Sequence, residues 1–167
     1  MFNAELKIIK TNLFIVLSAI FIGCIISIVA QYFALSTSSI FNWIQNNKFV
    51  FLEFGNFNLF PVIACFIGSV FVCLIIKNLN VSRWHGPADT IYAAHQRDGT
   101  LDIKAGFLST IACFFSISGG ASVGLYGPLV HFGATCAAFI RSRKFMPNIP
   151  HDIIIGAGVA AAISSVF

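Results

Sequence analysis

The feature that most limits what this chain can fold into is an apolar run from Leu13 to Leu35, broken only by Gln31 and small polar residues. At about 1.5 Å of helical rise per residue, such a run crosses the roughly 30 Å hydrocarbon layer of a bilayer with a tilt. Lys7 and Lys10 precede it, as in a signal peptide, but the run continues well past the length of a signal-peptide core. A membrane-spanning helix is the reading that fits. Composition agrees, with 57% hydrophobic residues, 10% charged residues and 19 phenylalanines, against about 45–50% apolar and about 25% charged in soluble domains. Too little polar surface remains to cover a water-soluble core. The expected fold class is all-α, multi-pass integral membrane.

Residues 36–58 are richer in Ser, Thr, Asn and Gln, interleaved with aromatics such as Trp43, and read as an interfacial loop. A second span follows from Leu59 to Ile76, with Pro61 in its first turn, where a missing N–H costs little. Lys77, Arg83, Arg97 and Lys104 come after it, against Lys48 alone in the 36–58 loop. By the positive-inside rule, the N-terminus (residues 1–12) and residues 77–104 are cytoplasmic and residues 36–58 lie outside. Arg141, Arg143 and Lys144 run against that rule if residues 105–140 make one net crossing. Either a vestibule that concentrates anions or a dominant N-terminal charge signal accounts for them.

The formal net charge of +4 is spread too thinly for a nucleic-acid footprint. Five cysteines (Cys24, Cys65, Cys73, Cys113, Cys136) sit inside apolar runs and read as small buried hydrophobes, not as disulfides or metal ligands. The four histidines show no metal-ligand spacing. No nucleophile elbow or paired carboxylates appear, so an enzyme is not expected, and neither is a cofactor.

The remaining sequence does not divide into ordinary spans. Ala105–Gly124 is apolar but rich in Gly and Ser, and Pro128–Ile140 is too short to cross alone. The stretch from Ile153 stops at Phe167 in mid-hydrophobic sequence, so the chain reads as the truncated front of a larger membrane domain spanning residues 13–167.

Two breaks carry the functional signal. Gly86-Pro87 opens a short segment ending near Gln96, and Gly124-Leu125-Tyr126-Gly127-Pro128-Leu129-Val130 opens the 13-residue one. Pro suits the first helical position and Gly permits the turn leading in, so each pair reads as a helix start. A helix that begins within the membrane exposes unpaired N–H groups and the positive end of its dipole. Such groups are tolerated at depth where they line a cavity or hold an ion. Two broken helices aimed at one point outline an anion site; the alternative is that the glycines only allow close helix packing. Of the histidines, His85 lies beside the first break, and His131, one turn into the second helix, is the better placed to face a cavity.

The segment from Ser118 to Gly133 resembles the signature loop of the CLC family of chloride channels and proton-coupled chloride exchangers, which carries G-[K/R]-E-G-P followed by a small-residue helix. Gly124, Gly127, Pro128 and Gly133 fall on that pattern. Gly86-Pro87 sits where the family has its G-S-G-x-P loop, and residues 156–167 resemble the Gly/Ala-rich helix that follows. The resemblance covers roughly residues 10–167, less than half of a family membrane domain, whose halves form an inverted repeat. It implies chloride as the transported ion, a homodimer with one anion path per protomer, and a plasma or bacterial inner membrane location. It also places the anion path at Gly86, Pro87, Gly124, Tyr126, Gly127, Pro128, Leu129 and Val130.

The departures from the family bear on mechanism. The family's gating glutamate is Tyr126 here, its basic loop residue is Leu125, and its ion-contacting serine falls on Trp84. A phenol with a reference pKa of about 10 does not carry a proton on and off near neutrality. Passive, channel-like permeation is therefore expected, resting on backbone donors around Gly86, Ala88, Gly127, Leu129 and Val130, with Tyr126 as the gate. The competing expectations are a secondary carrier or exchanger of another anion, and a fragment that conducts nothing.

Overall fold

The computed structural model describes residues 2–47, 53–54, 57–79, 84–96, 101–142 and 149–167. Lys48, Arg83, Arg97, Arg143 and Lys144, on which part of the charge reading rests, lie outside the described residues. Six helices follow in order among those described: α1 (Phe2–Asn46), α2 (Phe60–Leu79), α3 (Pro87–His95), α4 (Ile103–Ser118), α5 (Tyr126–Ser142) and α6 (His151–Ser164). A two-rung hairpin, β1 (Glu53–Phe54) with β2 (Phe57–Asn58), joins α1 to α2. The fold is all-α apart from that hairpin, as the composition requires.

α1 corrects the expected loop over residues 36–58. The helix runs on through the Ser/Thr-rich segment to Asn46, because the sequence places no Gly or Pro between Cys24 and Phe54 to stop it. Thr37 turns its hydroxyl back onto its own helix, Oγ1 donating to Phe33 O at 2.8 Å. At Asn47 the helix ends, with backbone N–H and side-chain amide both donating to Trp43 O. Its 45 residues reach about 67 Å at 1.5 Å each, more than twice the hydrocarbon thickness. The polar C-terminal part therefore extends beyond what the apolar layer can hold. α2 begins as expected, Pro61 lying in a first turn whose Phe60 N–H is taken by Asn58 Oδ1 at 3.0 Å.

The two long helices are largely exposed, and α5 is the most enclosed of the helices. α1 buries one stripe, Ser18, Ile22, Ile26, Ala30 and Ala34, and leaves Leu13, Leu17, Phe21 and Ile28 exposed on its other faces. α2 exposes Val62, Phe66, Val70 and Leu74, as a lipid-facing helix does. α5 is the reverse: Leu129, His131 to Thr135, Ala137 and Ala138 are all buried. Its 17 residues, longer than the 13 expected from Pro128, rise about 26 Å, a little less than the hydrocarbon thickness. Enclosed by α1, α4 and α6, its ends need not reach water, because irregular backbone at membrane depth is permitted where protein covers it.

Close backbone approach makes that enclosure possible. A Cβ on Gly133 would overlap Gly158 O on α6, and a Cβ on Gly158 would come within 2.5 Å of Gly133 O on α5. Neither position accepts a side chain without separating the two helices. α2 meets α4 in the same way, a Cβ on Gly68 lying 2.8 Å from Phe115 O, with Phe71 stacked on Phe115 at 4.7 Å. Ile22, Ile26 and Ala30 of α1 then complete a core with Leu129, Phe132, Ala137, Ile154 and Ala162.

Replacing Gly133 by Val should overpack the α5–α6 contact and destabilise the fold by about 1–3 kcal/mol. Gly156→Ala, on the same α6 but with open space around its Cβ, should leave stability unchanged or slightly raised. Denaturant unfolding in detergent, followed by helical circular dichroism, compares the two.

Candidate functional site

Both breaks fold into helix starts. At the first, Gly86 is the residue before α3, and its carbonyl accepts from Asp89 N–H at 3.0 Å and Thr90 N–H at 3.3 Å. The Asp89 carboxylate reaches back, Oδ2 accepting from Gly86 N–H at 2.9 Å. His85 N–H donates to Ser109 Oγ on α4 at 3.3 Å. The donors of His85 and Gly86 are therefore used within the protein, a difference from the open N–H groups expected around Gly86. The carboxylate also places a negative charge at the positive end of α3.

At the second break the chain leaves α4 through Gly120 (φ 109°) and Gly124 (φ 73°), backbone conformations that L side chains rarely adopt. α5 then starts at Tyr126, two residues earlier than the expected start at Pro128. Pro128 still falls in the first turn, where its missing N–H has no helical acceptor to lose. Leu129 N–H donates to Leu125 O at 3.2 Å. Gly127 N–H is one of the first-turn donors that an α-helix leaves without an intrahelical partner.

The two breaks meet. Gly86, Pro87, Gly127 and Pro128 line one cavity of about 320 Å³. A Cβ on Gly127 would lie 3.7 Å from Pro87 Cγ, ordinary contact distance. Trp84, His85 and His131 also line the cavity, as do Ser109 and Ser116 of α4. No Asp or Glu is among the lining residues.

Not every expected residue gathers there. Tyr126 lies outside the lining, half exposed, its ring stacked on Phe167 at 5.2 Å with an interplanar angle of 15°. Leu129 is fully buried in the core, Val130 is half-buried, and Gly124 is exposed with nothing near its Cβ position. The second break thus contributes Gly127-Pro128 to the cavity.

His131 is buried, with 2% of its surface exposed, and its Nδ1 lies 3.1 Å from Thr90 Oγ1 on α3. That contact ties the two broken helices together near their starts. The His85 ring sits 6.2 Å away, centroid to centroid. The sequence reading left out Ser109 and Thr90. A signal for the α4 face existed: Ser109, Cys113 and Ser116 recur at i, i+4 and i+7 within an apolar helix, the spacing of one helical face. Thr90 had none, since it acts through a contact 41 residues away in sequence.

A helical membrane chain whose interrupted helices converge on one cavity is the architecture of an ion-conducting or ion-carrying protein. The family described as voltage gated chloride channel matches residues 68–167, and the chain belongs to that family. The match opens within α2 and takes in both breaks and all the residues that line the cavity, from Val72 to His131. The chain is 26% identical over 91 residues to the voltage-gated ClC-type chloride channel ClcB of Salmonella typhi, a region covering 54% of this chain and 21% of that protein. It is 29% identical over 86 residues to a putative chloride channel protein ClcB-like of Ralstonia nicotianae, covering 49% of this chain and 20% of the relative. The aligned region is thus about a fifth of the length of these curated relatives. No solved structure matches.

Asp89→Ala should remove the bond to Gly86 N–H and destabilise the start of α3 by about 1 kcal/mol. Hydrogen exchange resolved to residues 85–90 should rise there, and remain as in the wild type in α6.

Proposed function

We propose that this chain forms part of a passive chloride path, in which the ion occupies the cavity between the starts of α3 and α5. The observation that carries the reading is the convergence of Gly86-Pro87 and Gly127-Pro128 on that one cavity. The start of α5 offers the positive end of a helix dipole and the N–H of Gly127 to an anion. The Asp89 carboxylate lies at the α3 side, bound to Gly86 N–H, so it is the α5 side of the cavity that favours an anion. Hydroxyl groups of Ser109 and Ser116 on the α4 wall replace part of the ion's hydration.

Passive permeation, as opposed to exchange for protons, follows from the same inventory. Proton coupling needs a group on the path that gains and loses a proton as the ion passes. A neutral phenol stands at Tyr126, where the family has its gating carboxylate. Tyr126 is the gate in this reading: it begins the helix whose next residue, Gly127, lines the cavity, and its ring rests on Phe167. Departure from that stack changes access to the α5 terminus without any titration. The functional unit is a homodimer with one path per protomer in the cell membrane, plasma or bacterial inner, and chloride is the transported ion with no cofactor.

Efflux from chloride-loaded liposomes containing the full-length protein tests this, with wild type beside Tyr126→Glu and Tyr126→Ala. The expected result is chloride efflux without stoichiometric proton movement in the wild type, and efflux that becomes pH-dependent in the Glu variant. Fixed proton coupling in the wild type would replace the channel reading by an exchanger. No efflux from any variant with an intact helical spectrum would leave the broken helices as packing elements of a non-conducting fragment.

A further inference from the structure

How firmly a wall holds an anion depends on how much positive charge it presents. At the two helix starts the lining residues are His85, Gly86 and Pro87 on one side, and Gly127 and Pro128 on the other. His85 N–H is taken by Ser109 Oγ, and Gly86 N–H by Asp89 Oδ2. Pro87 and Pro128 have no N–H to give. Gly127 N–H is therefore the one backbone donor that these residues leave open. The prolines that suit the helix starts also remove donors from the place where the dipoles point.

The rest of the wall adds little charge. Among the described residues that line the cavity there is no Lys or Arg, and the Asp89 carboxylate stands at its α3 side. Ser109 and Ser116 contribute hydroxyl dipoles. Much of the remaining lining is Val72, Ala112, Cys113, Val123 and the ring of Trp84. Such surfaces attract an ion mainly by dispersion, most strongly when the ion is itself polarisable.

An ion that enters exchanges its hydration for these contacts. Stripping water costs most for a small ion, whose charge is concentrated, and only a strong field repays that cost. A large ion gives up less hydration and gains more from an apolar wall. We infer that this cavity ranks monovalent anions by ease of dehydration: thiocyanate and iodide bind more tightly than bromide, bromide more tightly than chloride, and fluoride least. This rests on the anion reading above and deepens it. Chloride remains a permeant ion, while the class that the wall itself prefers is the weakly hydrated, polarisable one.

Equilibrium dialysis of radiolabelled iodide against the full-length protein in detergent tests the ranking, with protein-free micelles subtracted and ionic strength held by gluconate. The buffer is set to about pH 8.5, above the range in which imidazole changes charge. Displacement by unlabelled anions should show iodide binding about tenfold or more tighter than chloride. Two variants locate the site. Pro128→Ala restores an N–H in the first turn of α5, and Val123→Lys adds a cation at a lining position that is 59% exposed. Each strengthens the field, so chloride should gain most and the iodide-to-chloride ratio should fall several-fold. Helical circular dichroism checks both, and if Pro128→Ala does not fold, Val123→Lys decides. Chloride displacing the label as well as iodide does, or better, overturns the ranking and leaves the anion cavity standing. The expected ranking left unchanged in the folded variants places the iodide elsewhere on the protein and overturns the inference. Absence of saturable iodide binding beside chloride efflux from liposomes overturns the ranking alone, and absence of both overturns the anion reading with it.

Discussion

Hydrocarbon gives an open backbone N–H or C=O nothing to bond to, and the rest of the structure depends on how the chain meets that constraint. Each unsatisfied group at membrane depth costs several kcal/mol, so helices that start or stop there must do so inside protein. α1 and α2 present their apolar faces outward and enclose the shorter helices. The Gly133–Gly158 contact brings the backbones of α5 and α6 together closely enough to complete the enclosure. Within it α5 brings Gly127 and Pro128 of its first turn to the cavity.

The same constraint explains how the two helix starts differ. α3 satisfies its own first donor through Asp89, while Tyr126 and Gly127 open α5 with no acidic residue in its first turn. The α3 terminus carries the protein's own carboxylate, and the first turn of α5 has none. Thr90 and His131 link the two, so the closed helix sets the position of a side chain on the open one. Membership of the voltage gated chloride channel family gives the arrangement its context.

Much of this was legible in the sequence because it rests on one-dimensional signals. The apolar run from Leu13 and the span from Leu59 are set by hydropathy and length. The two Gly-Pro pairs mark helix starts wherever they occur, and the start of α5 is misplaced by only two residues. The C-terminal extension of α1 was not legible, because Ser, Thr and Asn are read as loop formers, whereas with no Gly or Pro at hand they back-bond and continue the helix. Tyr126 drew attention as the residue at the family's gating position, yet its ring turns to Phe167, a contact that no local pattern encodes. The use of Gly86 N–H by Asp89 has a local signature, a carboxylate three residues after the residue preceding the helix. Thr90 enters through a tertiary contact and leaves no trace in spacing, whereas Ser109 shares a helical face with Cys113 and Ser116.

The central claim is that an anion is held where the starts of α3 and α5 converge. Crystals of the full-length protein soaked in bromide, with diffraction recorded at the bromine absorption edge, test it most directly. The account predicts an anomalous peak inside the cavity, within hydrogen-bonding reach of Gly127 N–H. Bromide peaks at the protein surface with an ordered, bromide-free cavity would contradict it.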